Sequence, residues 1–399
     1  MRVAVVAEFY PRRHDPVLGV WAHRQAQAAR DAGADVSVFV LHRVVPPAAQ
    51  FSLREAMKLM AQPSRVILDG LPIHYLRYVS PPRARAYARW GAWAAPVLRR
   101  ALSAASRREG SFDLVHAHNA VPAGDAVQRA RAEAPLLVSV HGGDVLWTVH
   151  RAQGGAAAVS RTLAGADTVL ANSAGIAALA RQRGARRVEV VHLGSDLPSG
   201  DELPPRSPRP LLVTVGHLVA RKRHADVVHA LASLPDAVRY LIIGDGPERD
   251  ALRELAVSLG VDGRVELAGQ LPHELALRRA REAWLFVMPS TAEAFGVAYV
   301  EAMAAGIPAL GASGEPGPEE IAAAGGGIEL VTPGDGAALV ARIERLLSDS
   351  SRLAALGAAA RANVEAHFSW RRCGEQTYAV YAELVRARAG AGGGSSRQA

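Results

Sequence analysis

The sequence has a single cysteine, Cys373, in 399 residues. One thiol makes neither an intramolecular disulfide nor a cysteine-built metal cage, so a reduced cytoplasmic protein is expected, with Cys373 a small buried hydrophobe on a late helix. No stretch reaches the roughly 18 unbroken apolar residues of a membrane-spanning helix, because arginine interrupts even the alanine-rich segments. The start, Met1-Arg2 running straight into Val3-Ala4-Val5-Val6-Ala7, is too short for the core of a secretory leader and lacks a cleavage site. Gly 37 and Pro 24 are near ordinary usage and no low-complexity tract precedes residue 390, which excludes disordered and fibrous classes. Lysine is scarce: Lys58 and Lys222 are the only two among 46 basic residues. Also missing are a G-x-G-x-x-G turn opening a helix, a Walker sequence, a G-x-S-x-G elbow and a His-Glu-x-x-His pair, which counts against dinucleotide, P-loop, hydrolase and zinc chemistry.

What is present is a length suited to two domains with ample cores. The charge divides unevenly, with 25 Lys/Arg against 14 Asp/Glu in residues 1–200, net +11, and 21 against 24 in the remainder, net −3. Within 81–110, seven arginines face Glu109 alone, beside Trp90 and Trp93. Such a segment suits an anionic membrane surface or a phosphorylated acceptor, or else is a solvated helix in an arginine-rich chain. Short apolar runs alternate with amphipathic stretches, the pattern of βα units on a parallel sheet. Strands are predicted at 2–7, 35–41, 65–69, 73–78, 113–117, 136–140, 167–171 and 188–192, with a helix over 20–32 stopped at Gly33. A second series runs through 211–215, 239–243, 264–267, 284–288, 307–311 and 328–331. The expected fold class is therefore α/β, with two doubly wound halves. Five prolines between 198 and 210 stiffen a linker that separates a domain at 1–197 from one at 211–367. Helices follow at about 335–347, 350–366 and 370–388, and 390–399 reads as a disordered tail.

The chemistry concentrates in Glu293-Ala-Phe-Gly-Val-Ala-Tyr-Val-Glu301. On one helix, eight residues are about 800° of rotation, which puts Glu301 near the face Glu293 introduces, two turns deeper. The N–H groups of Phe295, Gly296 and Val297 then point from a helix N-terminus, where the backbone dipole favours a phosphate. This block, with the following Ala302-Met303-Ala304-Ala305-Gly306-Ile307-Pro308, closely resembles the E-x7-E signature of the retaining glycosyltransferases of family 4. The resemblance extends over nearly the whole chain. It includes Gly19-Val20, His116-Ala-His118, His141-Gly142-Gly143-Asp144, Asn172-Ser173, Val191-His-Leu-Gly194, Gly216-His217 through Lys222, Gly244-Asp-Gly-Pro247 and Pro289-Ser290, ending at Phe368-Ser-Trp370.

The resemblance implies the GT-B fold, two Rossmann-like domains facing across a cleft, with a C-terminal helix over 368–389 crossing back to the first domain. It implies that Glu293 contacts the donor sugar, Glu301 the nucleotide ribose and Lys222 the diphosphate, and that His141 faces the donor near the transferred carbon. The arginine usual after Gly216 is His217 here, so Arg221, Arg223 or a charged His217 supplies the second cation. Gly19 corresponds to a turn over the diphosphate or is simply a helix entry. Gly244 and Gly246 would wall the nucleotide, and Gly269 and Leu271 would meet the base. Acceptor candidates on first-domain loops are Glu8, His14, Arg24, Asn119 and Asp144. The substrate is expected to be a UDP- or GDP-linked sugar, the acceptor a sugar, a lipid-linked sugar or a small molecule. No metal or other cofactor is expected, and no nucleic acid. Lys222 and the 295–297 amides would stabilise the departing diphosphate in a metal's place. The expected place is the cytoplasm or, peripherally, the inner face of the plasma membrane; the competing readings are a nucleotide-sugar epimerase of related architecture and a basic surface-binding protein without activity, its positive half serving membrane or nucleic acid. Neither explains the paired glutamates with Lys222.

Overall fold

The computed structural model describes residues 1–46 and 52–393. The chain forms two compact units. The first comprises Met1–His192 and the C-terminal stretch from Trp370, the second Leu193–Ser369. The division thus falls five residues before the expected 197, and the linker packs with the second unit: Trp284 Nε1 donates to the Ser207 carbonyl (2.8 Å) and Arg361 Nη2 to that of Pro198 (2.8 Å).

In the N-terminal unit, β1 (Arg2–Ala7), β2 (Asp35–Arg43), β3 (Arg65–Leu68), β4 (Leu71–Tyr78), β5 (Leu114–His118), β6 (Leu136–Val140), β7 (Thr168–Ala171) and β8 (Val188–Val190) make one sheet. Its order is β3-β4-β2-β1-β5-β6-β7-β8. The central strands are nearly continuous apolar runs, β1 being Arg-Val-Ala-Val-Val-Ala, because a parallel sheet covered on both faces has no polar side. One strand departs from the expected parallel arrangement. β3 pairs antiparallel with β4, since Asp69 and Gly70, both at positive φ (48° and 78°), close a two-residue hairpin that places β3 at the edge.

The C-terminal unit carries β9 (Leu211–Val215), β10 (Arg239–Ile243), β11 (Val265–Gly269), β12 (Leu285–Val287), β13 (Ala309–Ala312) and β14 (Ile328–Val331). Their order, β11-β10-β9-β12-β13-β14, reverses direction between β9 and β12. That reversal is a topological switch point, and the loops leaving β9 and β12 diverge over the carboxyl edge of the sheet. Its core gathers Leu212, Val227, Leu231, Tyr240, Ile242 and Leu285 around the sheet, with Leu339, Ile343 and Leu353 from the closing helices Gly336–Ser348 and Ser350–His367.

The last helix, Trp370–Gly393, belongs to the N-terminal unit. It runs four residues into the stretch expected as a tail from 390; residues 394–399 of that stretch lie outside the described ones. Cys373, Tyr381 and Leu384 enter the core formed by Val3, Val5, Ala26 and Val38. Burial pushes the Cys373 thiol up to about 12, and the residue is inert packing. The helix lies against Val20–Asp31 closely enough that a Cβ on Gly374 would stand 2.2 Å from the Ala28 carbonyl oxygen, while Gln25 Nε2 donates to Thr377 Oγ1 (3.2 Å). Gly374→Ala should therefore destabilise the protein by about 1–3 kcal/mol through overpacking, although alanine is the better helix former by about 1 kcal/mol. Urea unfolding measures the sign, and a stabilised variant would mean that these helices do not approach so closely.

Candidate active site

Lys222 and Glu293 meet at the switch point of the second sheet. Lys222 ends a short 3₁₀ turn, Ala220–Lys222, on the loop after β9, and Glu293 follows β12. Lys222 Nζ lies 2.5 Å from Glu293 Oε2, and the two residues are only 9% and 8% exposed. Ser290 Oγ donates to the same carboxylate oxygen (3.0 Å) and Arg221 Nη1 stands 3.8 Å from it. Burial pushes the Glu293 carboxyl up, but Lys222, Arg221 and the Ser290 hydroxyl outweigh it and hold the group below the usual carboxylate range. The backbone is held as well. The Glu293 N–H donates to Glu315 Oε2 (2.9 Å), and the Thr291 N–H to the Arg221 carbonyl (2.8 Å).

The two glutamates do not share a helical face. The helix is Val297–Ala304, so Glu293 precedes it; Ala292 at φ 54° turns the chain just before Glu293, and Gly296 at φ 90° turns it again before the helix. A side chain at 296 would also strike the Tyr299 ring at 2.4 Å. Glu293 therefore faces Lys222, whereas Glu301, one turn into the helix, has Oε1 3.7 Å from Nε2 of His273. Phe295 is a core residue, 1% exposed and packed on the Phe368 ring (centroids 5.6 Å apart). Val297 opens the helix.

The remaining donor candidates occupy three neighbouring loops at the same carboxyl edge. His217 follows β9, Gly244 and Gly246 follow β10, and Gly269 and Leu271 end and follow β11. The loops are laced by Gly216 N–H to the Ile243 carbonyl (2.9 Å) and Gly244 N–H to that of Gly269 (2.9 Å). His217 is exposed, with Nδ1 2.5 Å from the Asp245 carbonyl oxygen. Of the three residues considered for a second cation, Arg223 is paired with Asp226 (2.6 Å), and Arg221 stands beside Lys222 on Glu293. Sequence reasoning missed Ser290, Glu315 and His273 as members of this cluster; Ser290, three residues before Glu293, carried the one local signal.

In the N-terminal unit, His141 follows β6 and belongs to a stack of three imidazoles. Its Nε2 lies 3.0 Å from His118 Nδ1, and the two rings are parallel within 4° at 5.2 Å. His118 packs in turn against His116, tilted by 30° at 4.5 Å, whose Nδ1 and Nε2 reach Tyr381 Oη (2.6 Å) and Ser139 Oγ (2.7 Å). Burial holds His116 and His141 down to about 3 and His118 well below the ordinary imidazole range, so the three rings are neutral at pH 7. Trp21 covers His141 edge-on at 5.9 Å.

Gly19 caps the helix Val20–Asp31 at φ 68°, where a Cβ would fall 2.2 Å from the Phe9 carbonyl oxygen, so the fold alone requires this glycine. Of the acceptor candidates, Glu8 is buried beneath Tyr87, whose hydroxyl donates to its Oε2 (2.7 Å). Asn119 and Asp144 are spent on each other: Nδ2 donates to Oδ2 at 3.1 Å, and burial pushes the Asp144 carboxyl up to about 6. Arg24 stacks over Trp370 (5.8 Å), and His14 is exposed on a loop. Among the described residues no group of three or more His, Cys, Asp or Glu is arranged to hold a metal ion.

Two Rossmann-like units of this topology define the GT-B class of fold. The solved sucrose-phosphate synthase of Thermosynechococcus elongatus superimposes with a TM-score of 0.78 over 97% of this chain and 100% of its own, at 22% identity. Residues 18–199 match the model of Glycosyltransferase Family 4 and residues 200–363 that of Glycosyl transferases group 1. A D-inositol 3-phosphate glycosyltransferase of Catenulispora acidiphila is 32% identical over 313 residues, 70% of this chain and 74% of its own. A Bacillus subtilis protein named for a glycosyltransferase role in teichuronic acid biosynthesis is 27% identical over 326 residues, 78% and 80% of the two chains. The chain belongs to the family 4 glycosyltransferases.

The neutral histidine stack makes a stability prediction. Each of the three rings binds a proton in the unfolded chain near pH 6.5 but not in the native one, so their contribution is complete above pH 6.5 and lost as pH falls below it. Each loses about 1.4 kcal/mol per pH unit there. Asp144, which takes up a proton near pH 6 in the native state, offsets part of the loss. Urea midpoints should fall between pH 7 and pH 5, and His118→Leu should flatten that dependence by about one proton. A dependence unchanged by the substitution would mean that His118 titrates normally.

Proposed function

We propose that the chain is a retaining, metal-independent hexosyltransferase that takes a UDP- or GDP-linked sugar on its C-terminal unit and passes the sugar to an acceptor hydroxyl bound by its N-terminal unit. The observation that carries this reading is the cluster of Lys222, Arg221 and Glu293 at the switch point of the second sheet, the place where open α/β sheets bind ligands. Departure of a nucleoside diphosphate leaves negative charge on the phosphate while positive charge develops on the sugar. Two cations fixed in advance at a sheet edge stabilise that anion without reorganising. Lys222 has three donors, so its bond to Glu293 leaves others for a phosphate. Glu293, kept ionised, accepts from sugar hydroxyls, and Glu301, further round the edge toward β11, accepts from the two vicinal hydroxyls of a ribose. The named roles of the relatives, in teichuronic acid synthesis and on D-inositol 3-phosphate, support an acceptor belonging to cell-surface polysaccharide, glycolipid or small-molecule glycoside synthesis.

A peripheral place on an anionic membrane is part of the same reading. Trp90 does not contribute to it, being 4% exposed, with the Arg43 guanidinium over its ring (4.8 Å) and Tyr87 edge-on to it (5.1 Å). Trp93, 50% exposed on the helix Trp90–Glu109, remains as an aromatic anchor with the exposed Arg89, Arg99, Arg100 and Arg107. No helix among the described residues is long and apolar enough to cross a membrane.

Glu301→Ala should weaken nucleotide-sugar binding by a factor of roughly ten or more, the worth of one charge-assisted hydrogen bond, read by calorimetry against a panel of donors; equal affinities would remove Glu301 from the site. Lys222→Ala should lower turnover about 10²-fold and, by stranding the buried Glu293 carboxylate, cost about 3 kcal/mol of stability. Adding Glu293→Ala should recover much of that stability and none of the activity. Recovery of turnover in the double variant would deny the two residues their roles, and proton NMR of the product's anomeric centre tests retention. Sedimentation with phosphatidylglycerol vesicles at low and at 0.5 M salt tests the surface: Trp93→Ala should weaken binding, and binding indifferent to anionic lipid would exclude it.

A further inference from the structure

The N-terminal unit contains a cavity of about 820 Å³ at the carboxyl ends of β1 and β2. Four arginines line it, Arg12, Arg43, Arg83 and Arg151, against a single carboxyl group, Glu8. The arginines differ in what they have left to give. Arg43 is committed to the fold, donating from Nε to Ser80 Oγ (3.0 Å) and from Nη2 to the Ser80 carbonyl (2.9 Å). Arg12 gives Nη2 to the Glu8 carbonyl (2.8 Å) but keeps a buried Nε with no partner. Arg83 and Arg151 are held by rings alone. The Arg83 guanidinium carbon lies 4.0 Å from the Tyr87 ring centroid and 5.5 Å from that of Phe9; the Arg151 carbon lies 4.6 Å from the Trp147 centroid. Among the described residues, no acceptor or carboxylate is within hydrogen-bonding or ion-pairing distance of either.

Stacking on a ring face fixes the plane of a guanidinium while leaving its edge of N–H donors unspent. Both guanidinium groups and Arg12, with its unpaired Nε, line the same cavity and offer N–H donors to whatever enters. Such donors match the tetrahedral oxygens of a phosphate, which takes paired N–H bonds from arginine.

We propose that this cavity holds the acceptor and that the acceptor is phosphorylated: a sugar or polyol carrying a phosphate, bound by Arg83 and Arg151 with Arg12 Nε. The proposal rests on the acceptor reading of the N-terminal unit given above. Arg83 and Arg151 are exposed and Arg12 keeps a buried, unpaired Nε; a phosphate gives these cations a counter-charge that Glu8, buried and already bonded to the Tyr87 hydroxyl, does not supply. Burial also pushes the Glu8 carboxyl up, against the pull of Arg83, Tyr87, Arg12 and Arg43, which favours its role as wall over that of counter-ion. The carbon faces of a sugar or polyol fit the apolar lining, Leu18, Leu41 and Trp147. The phosphate belongs either to a free sugar phosphate or to a lipid headgroup, and the two share this recognition.

Calorimetry separates the possibilities, with glucose, glucose 6-phosphate and monomeric dihexanoylphosphatidic acid as probes for the wild type, Arg83→Gln, Arg151→Gln, and the double Lys variant (Arg83→Lys, Arg151→Lys). A phosphorylated probe should bind at least tenfold more tightly than glucose, each Gln variant should lose about tenfold, and the Lys pair should recover part of the affinity by charge without the fork. Preference for glucose 6-phosphate identifies a free phosphate as the source, and preference for the phosphatidic acid a headgroup; both support the proposal. If neither probe binds better than glucose, or if binding is indifferent to Arg83 and Arg151, the proposal is overturned. UDP and GDP titrated into the wild type are the controls for the donor reading: failure of both to bind would count against the transferase reading and leave the cavity measurement standing.

Discussion

The buried pair of Lys222 and Glu293 is the constraint on which the C-terminal unit's chemistry depends. Sheet topology sends the chains after β9 and β12 in opposite directions, and the pair ties them back together across the gap. Withdrawing both charges from water costs several kcal/mol per ion, which Coulomb attraction offsets only when the geometry is good and further hydrogen bonds are made. Ser290 and Arg221 supply those contacts on the carboxylate, and Glu315 holds its backbone. A cluster with so many mutual partners has one arrangement. The pair is formed within the unit itself, so its charges are fixed in advance and no mobile side chain has to be ordered at this edge.

The N-terminal unit treats polarity in two different ways. Around His116, His118 and His141 it excludes charge: three imidazoles stack, pass hydrogen bonds to Ser139 and Tyr381, and stay neutral because burial makes the cation too costly. The C-terminal helix is part of this device, since Tyr381 is its last partner. Some distance along the same sheet edge the unit does the reverse and gathers arginines with almost no acid. Guanidinium groups are weakly hydrated and stack on rings, so Tyr87, Phe9 and Trp147 hold them where a carboxylate would have neutralised them. The first arrangement positions a histidine, and the second keeps charge available.

The alternation of apolar runs and amphipathic stretches was enough to place every strand within one or two residues of its observed ends, because parallel strands buried on both faces leave an unmistakable mark in the letters. Two doubly wound units and the burial of Cys373 follow from local pattern in the sequence, while the candidacy of Gly19, Lys222 and Glu293 came from the resemblance to the family. Tertiary structure alone decided which groups meet. A spacing of eight positions suggested a common helical face for the two glutamates, but the helix starts only after Gly296 at positive φ, so Glu293 lies outside it and the carboxylates go to Lys222 and His273. Trp90 and Trp93 look alike in sequence, and only packing makes one a buried partner of Arg43 and leaves the other exposed. Asn119 and Asp144 read as loop candidates until the fold closes them on each other. Arg12, Arg83 and Arg151 stand up to 139 residues apart, and no spacing relates them. Secondary structure is set by interactions within a few residues, which a sequence displays. A site is set by loops brought together from distant strands, and that juxtaposition exists only once the sheet has formed.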